Sequence, residues 1–138
     1  PICYLCPILN ENGLIIGCQV RVDGGGYVWL KTKKSSHLQN GELPITAHIT
    51  EGDKNLRLAE GILKPYIAHC RRGQTYVGAA GGNLASSPQQ LKQYIDYVQP
   101  QKITLCPDAG SRANKNVLRQ YRAIANLLNS WACMSSLV

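Results

Sequence analysis

The chain has 138 residues, 44% of them hydrophobic and 17% charged, which fits one domain, or one domain with a small appendage. That profile excludes wholesale disorder, and no apolar run approaches the roughly 20 residues of a membrane-spanning helix. Fifteen Lys and Arg oppose eight Asp and Glu for a net charge of +7; residues 101–138 alone hold five basic side chains against one acidic, an asymmetry that suits a polyanion such as DNA or RNA rather than a membrane.

No basic-then-apolar signal segment opens the chain, and its first residue is Pro. The expectation is therefore a fragment whose flanking domains are missing. Cys18 and Cys106 lie in apolar, strand-like runs, where cysteine acts as a small buried hydrophobe. Cys3-Tyr4-Leu5-Cys6 has zinc-knuckle spacing, but no second pair completes four ligands, so no zinc is expected. A reducing, cytoplasmic setting follows from this cysteine usage.

In chain order, the first 50 residues read as a small antiparallel β subdomain. Asn12-Gly13 precedes the Leu14–Val20 run, and Asp23-Gly24-Gly25-Gly26 separates it from Tyr27–Leu30, a hairpin with a loose loop. Residues 35–41 read as a surface loop, and Ile45–Thr50 as a further strand of the same subdomain.

From residue 51 onward strands and helices alternate. Residues 51–54 form a turn, Leu56–Ala59 a strand that ends at Glu60-Gly61, and residues 62–72 a helix with Pro65 in its first turn. Thr75–Ala79 is the next strand, running into the glycine-rich stretch 78–83. Ser87-Pro88-Gln89-Gln90 predicts a helix start, with Ser87 as N-cap and Gln90 closing a capping box. Leu91, Tyr94, Ile95 and Val98 then share one face. Lys102–Cys106 is a third strand. Asn114 caps a long helix whose apolar face is Val117, Leu118, Tyr121, Ile124, Ala125, Leu128 and Trp131, and residues 133–138 begin a fourth strand.

This alternation predicts an α/β domain over residues 51–138, truncated at its C-terminal end, with parallel strands at Leu56, Val77 and Thr104 joined by right-handed crossovers. Ligands of such sheets gather beyond the carboxyl ends of the strands, where Glu60 and Asp108 both fall. A carboxylate pair there can hold Mg²⁺, one member can act as a general base, or each can cap a helix. Lys115, Arg119 and Arg122 recur at i, i+4 and i+7 of the last helix, a stripe that can track a phosphate backbone or form a solvated face. Gly81 and Gly82 can present amides to phosphate or simply turn the chain. His37, His48 and His69 lack ligand-like spacing and are expected to pack or face solvent. Trp29 and Trp131 are expected at the core or its rim.

Leu56-Arg57-Leu58-Ala59-Glu60-Gly61, followed by a helix and later by Ile103-Thr104-Leu105-Cys106-Pro107-Asp108-Ala109-Gly110, resembles the Toprim domain of primases, topoisomerases and related nucleases. The front segment, Pro7 to Gly17 with Arg21 and Tyr27–Leu30, is similar to the β-rich segment preceding Toprim in DnaG-type bacterial primases. Glu60–Pro65, Gly78–Asn83 and Pro107–Ser111 with Asn114 are similar to an uncharacterised, primase-related Toprim-like family linked to mobile elements.

The resemblance implies a primase-related domain in DNA replication that acts on or binds nucleic acid, with Mg²⁺-dependent nucleotidyl transfer as the possible chemistry. It implies Glu60 as catalytic acid/base and metal ligand, with Asp108 as a second ligand and Asn114 as a neutral substitute. Mg²⁺ or Mn²⁺ would bind weakly, because Gly110 stands where the family carries a second Asp. Lys64, Lys115, Arg119 and Arg122 would contact nucleic acid, and Gly81 and Gly82 phosphate. Glu51-Gly52 is a rival for the family's Glu; Glu60 is preferred because one helix fills the gap to Thr75. The alternative reading is a non-catalytic module that binds nucleic acid or protein through the same fold with a degenerate metal site.

Overall fold

A computed structural model of the chain describes residues 3–30, 37–80, 84–131 and 135–137. Three strands, β1 (Tyr4–Leu9), β2 (Ile15–Arg21) and β3 (Tyr27–Trp29), form an antiparallel sheet in that order. Pro7 is accommodated because β1 is an edge strand, where no ladder donor is needed on the outer side. The β1–β2 turn closes on Asn10, whose side-chain oxygen accepts from the amides of Asn12 and Leu14 at 2.9 and 3.0 Å.

The second sheet has five strands, β4 (Thr46–His48), β5 (Asn55–Glu60), β6 (Tyr76–Ala79), β7 (Lys102–Cys106) and β8 (Ser135–Leu137), in the order β4-β6-β5-β7-β8. The pairs β5–β6, β5–β7 and β7–β8 are parallel, as the alternation of the sequence implies. One expectation changes. The 45–50 strand does not complete the front sheet; β4 pairs antiparallel with β6 through Thr46↔Gly78, Ala47↔Val77 and His48↔Tyr76. Its residues are buried on both faces, the signature of a strand inside a covered sheet.

Helices α1 (Leu63–Arg72), α2 (Pro88–Val98) and α3 (Lys115–Ser130) cover this sheet. The main core joins Leu56, Leu58, Val77, Ile103 and Leu105 of the strands to Leu91, Tyr94 and Ile95 of α2 and Tyr121, Ile124 and Leu128 of α3. Leu118, read from its spacing as part of the α3 apolar face, is exposed, because that face narrows to i, i+3, i+7 at Tyr121, Ile124 and Leu128. A smaller cluster of Cys6, Ile8 and Ile62, flanked by Ile16, Trp29 and Leu63, joins the front sheet to the start of α1. No described helix is long and apolar enough to cross a membrane.

The start of α2 differs from the capping box read in the sequence. The Ser87 side chain makes no cap bond to the helix; its hydroxyl donates to the Leu43 carbonyl at 2.9 Å. The cap is the buried carboxylate of Glu42, which accepts from the amides of Gln89 and Gln90 at 2.8 and 3.0 Å. The Gln90 side chain turns to Glu42, to the Leu43 carbonyl and to the Ile45 amide. A full negative charge against the helix amides outcompetes a serine hydroxyl.

At the amino ends of the parallel strands, Asp53 accepts from the Thr75 amide at 2.7 Å, the Asn55 amide at 3.0 Å and Arg57 Nη1 at 2.8 Å. Partial burial raises its pKa, but these donors outweigh burial and hold the carboxyl below its ordinary value. From the sequence alone Asp53 is legible only as part of the turn at residues 51–54.

Thr46, with His48 behind it, joins the two sheets. Thr46 Oγ1 accepts from the Leu9 amide at 3.2 Å and shares a hydrogen bond with His48 Nε2 at 3.1 Å. Burial, and then the neighbouring His69 with ring centroids 5.7 Å away, lowers the His48 pKa from 6.5 to about 4. The unfolded chain therefore binds this proton at pH 5 and the folded chain does not. The stability His48 contributes is complete above pH 6.5 and is lost as pH falls toward 4. Discounted for solvent reaching the ring, the loss between pH 7 and pH 5 is about 1–2 kcal/mol; urea unfolding of His48→Gln should show a correspondingly flatter dependence on pH.

Two glycines set the joint between β5, β6 and α1. Gly61 has φ 79° immediately after Glu60, which turns the chain off the strand end, and its amide donates to the Ala79 carbonyl at 2.8 Å. Gly78 faces this elbow so closely that a Cβ would lie 2.4 Å from both the Gly61 carbonyl oxygen and Pro65 Cγ. Neither obstacle is a flexible side-chain end. Gly78→Ala should therefore destabilise the fold by about 2–3 kcal/mol in urea unfolding, as overpacking of a close backbone contact does.

Candidate functional site

The carboxyl ends of β5, β6 and β7 share one edge of the sheet, because the three strands run parallel. Glu60 is the last residue of β5, opposite Ala79. Asp108 follows the end of β7 by two residues, and Ala59 is paired with Cys106. The two carboxylates thus leave the sheet from adjacent strands.

Tyr121 of α3 reaches this edge. Its hydroxyl donates to Glu60 Oε1 at 3.2 Å and also lies 3.4 Å from the Cys106 carbonyl. Burial first, then the charge and hydrogen bond of Glu60, then the charge of Asp108, push the Tyr121 pKa above the ordinary tyrosine range. The phenol therefore remains a donor at all neutral and moderately alkaline pH values. The periodicity of α3 assigned Tyr121 to the apolar face, where its ring does pack. What sequence alone does not carry is that its hydroxyl reaches a strand end 61 residues earlier.

Lys64, in the first turn of α1, forms an ion pair with Asp108. Placed from the sequence among nucleic-acid contacts, it lies across the acidic site itself. Both partners retain substantial exposure, 63% and 40% of their side chains, so the pair is weak and exchangeable. Asn114 caps α3, its side-chain oxygen accepting from the amides of Asn116 and Val117 at 3.0 and 3.4 Å. Glu51, the rival carboxylate, is exposed in the turn before β5, at the opposite end of that strand from Glu60. Among the described residues no cluster of three or more His, Cys, Asp or Glu is placed to hold a metal ion. Gly81 and Gly82 lie outside the described residues.

An open cleft of about 400 Å³ runs from this edge toward the front sheet, lined by Glu60, Lys64, Ile62 and Ala80 on one side and by Gln19 and Tyr27 on the other. Lys115, Arg119 and Arg122 are all exposed on α3, and none forms an ion pair with a described acid. The stripe and the Tyr121 hydroxyl therefore belong to different faces of one helix. Because Tyr121 couples core to site, Tyr121→Phe should cost about 1–2 kcal/mol of stability in urea unfolding through the lost bond to a carboxylate, with its ring packing retained.

No protein-family model matches the sequence, and no curated protein does. The crystal structure of the primase fragment of the Bacteriophage T7 primase-helicase protein shares the fold, with a TM-score of 0.63 at 17% sequence identity. The likeness covers 99% of this chain and 52% of that one, so the chain spans about half the length of the fragment it matches. Front sheet and α/β unit are both included in the match.

Proposed function

We propose that the chain is a primase-related, Toprim-like domain that binds nucleic acid along the carboxyl edge of its parallel sheet. The observation that carries the reading is the placing of Glu60 and Asp108 at the ends of adjacent parallel strands, the edge where a parallel sheet receives its ligands, with the Tyr121 hydroxyl on Glu60. The likeness in fold to a primase fragment supports it. The unpaired stripe of Lys115, Arg119 and Arg122 supplies the charge for a phosphate backbone.

The donor set fits Mg²⁺ or Mn²⁺, which take one or two carboxylates from a protein and fill the rest of their shell with water and substrate phosphate oxygens. Glu60 and Asp108 would hold the ion, and Asn114 is committed to its helix. When bound, the ion would neutralise charge on a phosphoryl group undergoing transfer. Tyr121 fixes the Glu60 carboxylate at the wall of the cleft. Lys64 neutralises Asp108 and is displaced toward phosphate when the pair opens. In the catalytic form of the reading, Glu60 also serves as acid/base in nucleotidyl transfer.

A second reading, a binding module without chemistry, is favoured by a specific observation: an ammonium group rather than a carboxylate completes the Asp108 side of the site, with Gly110 in the place of a second Asp. A Mn²⁺ titration followed by electron paramagnetic resonance separates the two. Saturable binding in the presence of single-stranded DNA, lost in Glu60→Gln and in Asp108→Asn, supports the metal-dependent reading; no binding with or without DNA supports the module. Under either reading, replacing Lys115, Arg119 and Arg122 with Ala should lower the salt slope of single-strand binding by roughly 0.7 per lost phosphate contact, about 2 in all, with stability changed by less than about 0.5 kcal/mol. An unchanged slope in the folded triple variant would reduce the stripe to a solvated surface.

A further inference from the structure

Gln19 is only 6% exposed, yet its carboxamide makes no hydrogen bond to any described residue. Its backbone is satisfied in the β2 ladder with β1 and β3. Among the described residues, the other two buried amide or carboxylate side chains, Gln90 and Glu42, bond to one another and to backbone. Gln19 differs because it lines the cleft beside Glu60 and Lys64, and none of its polar atoms is fully enclosed. A buried carboxamide without a partner costs about 1–3 kcal/mol. Water meets part of that need, and a ligand offering a donor beside an acceptor meets it fully.

The wall next to Gln19 is aromatic. Tyr27 lines the same cleft, is half exposed, and stands on the same face of the sheet, since it pairs with Arg21, two residues beyond Gln19. The Arg21 guanidinium lies 5.0 Å from the centre of the Tyr27 ring, and the Tyr27 hydroxyl is 3.5 Å from that of Tyr4. Those two contacts hold the ring in place. Of the remaining lining, Ile62, Leu63 and Ala80 are apolar, and Glu60 and Lys64 bring opposite charges. A flat ligand therefore meets an oriented aromatic ring, apolar sides and one carboxamide, with Lys64 on the same cleft.

We infer that Gln19 and Tyr27 form a nucleobase subsite, in which the Gln19 carboxamide reads a donor–acceptor pair on the base edge while Tyr27 provides the stacking surface. The inference rests on the nucleic-acid reading above and adds to it the part of the ligand that is recognised. Carboxamides pair with base edges in this two-bond manner, and base–aromatic stacking is a general feature of single-strand recognition. The volume, about 400 Å³, is ample for one base with its sugar. The phosphate of a base so placed extends toward Lys64 and the Glu60–Asp108 edge.

The test is a chemical-shift titration of the whole chain with AMP, CMP, GMP and UMP, with ribose 5-phosphate as the probe lacking a base. At least one mononucleotide should bind about tenfold more tightly than ribose 5-phosphate, and Gln19→Met should cut that preference at least about threefold, the loss of one or two net hydrogen bonds with the Tyr27 stacking retained, while leaving ribose 5-phosphate binding unchanged. A wild-type chain that binds ribose 5-phosphate as tightly as every mononucleotide overturns the inference, as does a folded Gln19→Met variant that keeps the full preference. If Gln19→Met does not fold, Tyr27→Ala, at an exposed position, is read by the same criterion. Single-strand binding that persists without any base preference sinks the subsite alone; absence of binding to strand, mononucleotide and ribose 5-phosphate alike sinks the underlying reading with it.

Discussion

The close approach at Gly78 is the constraint on which the carboxyl edge of the sheet depends. Because no Cβ intervenes, the Gly61 carbonyl and the Pro65 ring can lie directly on β6. The elbow after Glu60 is thereby pinned to the neighbouring strand by both packing and the Gly61–Ala79 hydrogen bond. Helix α1 leaves that elbow with Lys64 directed across β5 toward the Asp108 loop. A side chain at residue 78 would lift the first turn of α1, and the ion pair and one wall of the cleft would move with it.

Buried charge does comparable work elsewhere in the fold. Glu42 replaces a serine cap on α2, and Asp53 ties the entrances of β5 and β6 to Arg57. In both cases the carboxylate is surrounded by backbone amides, which compensate the cost of removing it from water. Of the eight acidic residues, these two are thus structural, and Asp53 anchors the start of β5, the strand whose other end carries Glu60.

The α/β unit was largely legible because its signals are local. Pro88 after Ser87 marks the start of α2, Asn114 that of α3, and Glu60-Gly61 and Pro107-Asp108 the ends of two strands; the parallel pairing follows from their alternation with helices. The fate of residues 45–50 was not legible, since three buried residues carry no period that tells which sheet they join. Capping by Glu42 was hidden for a similar reason: the partner amides lie 47 and 48 residues away. At the site, Glu60 and Asp108 could be placed on one edge from their positions at strand ends. Tyr121 and Gln19 could not, because the first looks like core by spacing and the second is a polar residue in a largely apolar strand, whose isolation is visible only once its surroundings are known.

Tyr121 has a dual membership with a consequence in time. Its ring belongs to the main core with Ile124 and Leu128, while its hydroxyl holds Glu60. Many binding sites are carried by loops that open locally at little free-energy cost, but this carboxylate is held by a residue that can leave only if α3 leaves the sheet. The orientation of Glu60 therefore persists for as long as the core does, whereas the Lys64–Asp108 pair opposite it can exchange on the rapid time scale of surface side chains. One wall of the site is permanent and the other is renewed continually, so an arriving phosphate meets a fixed acid and a cation free to turn toward it.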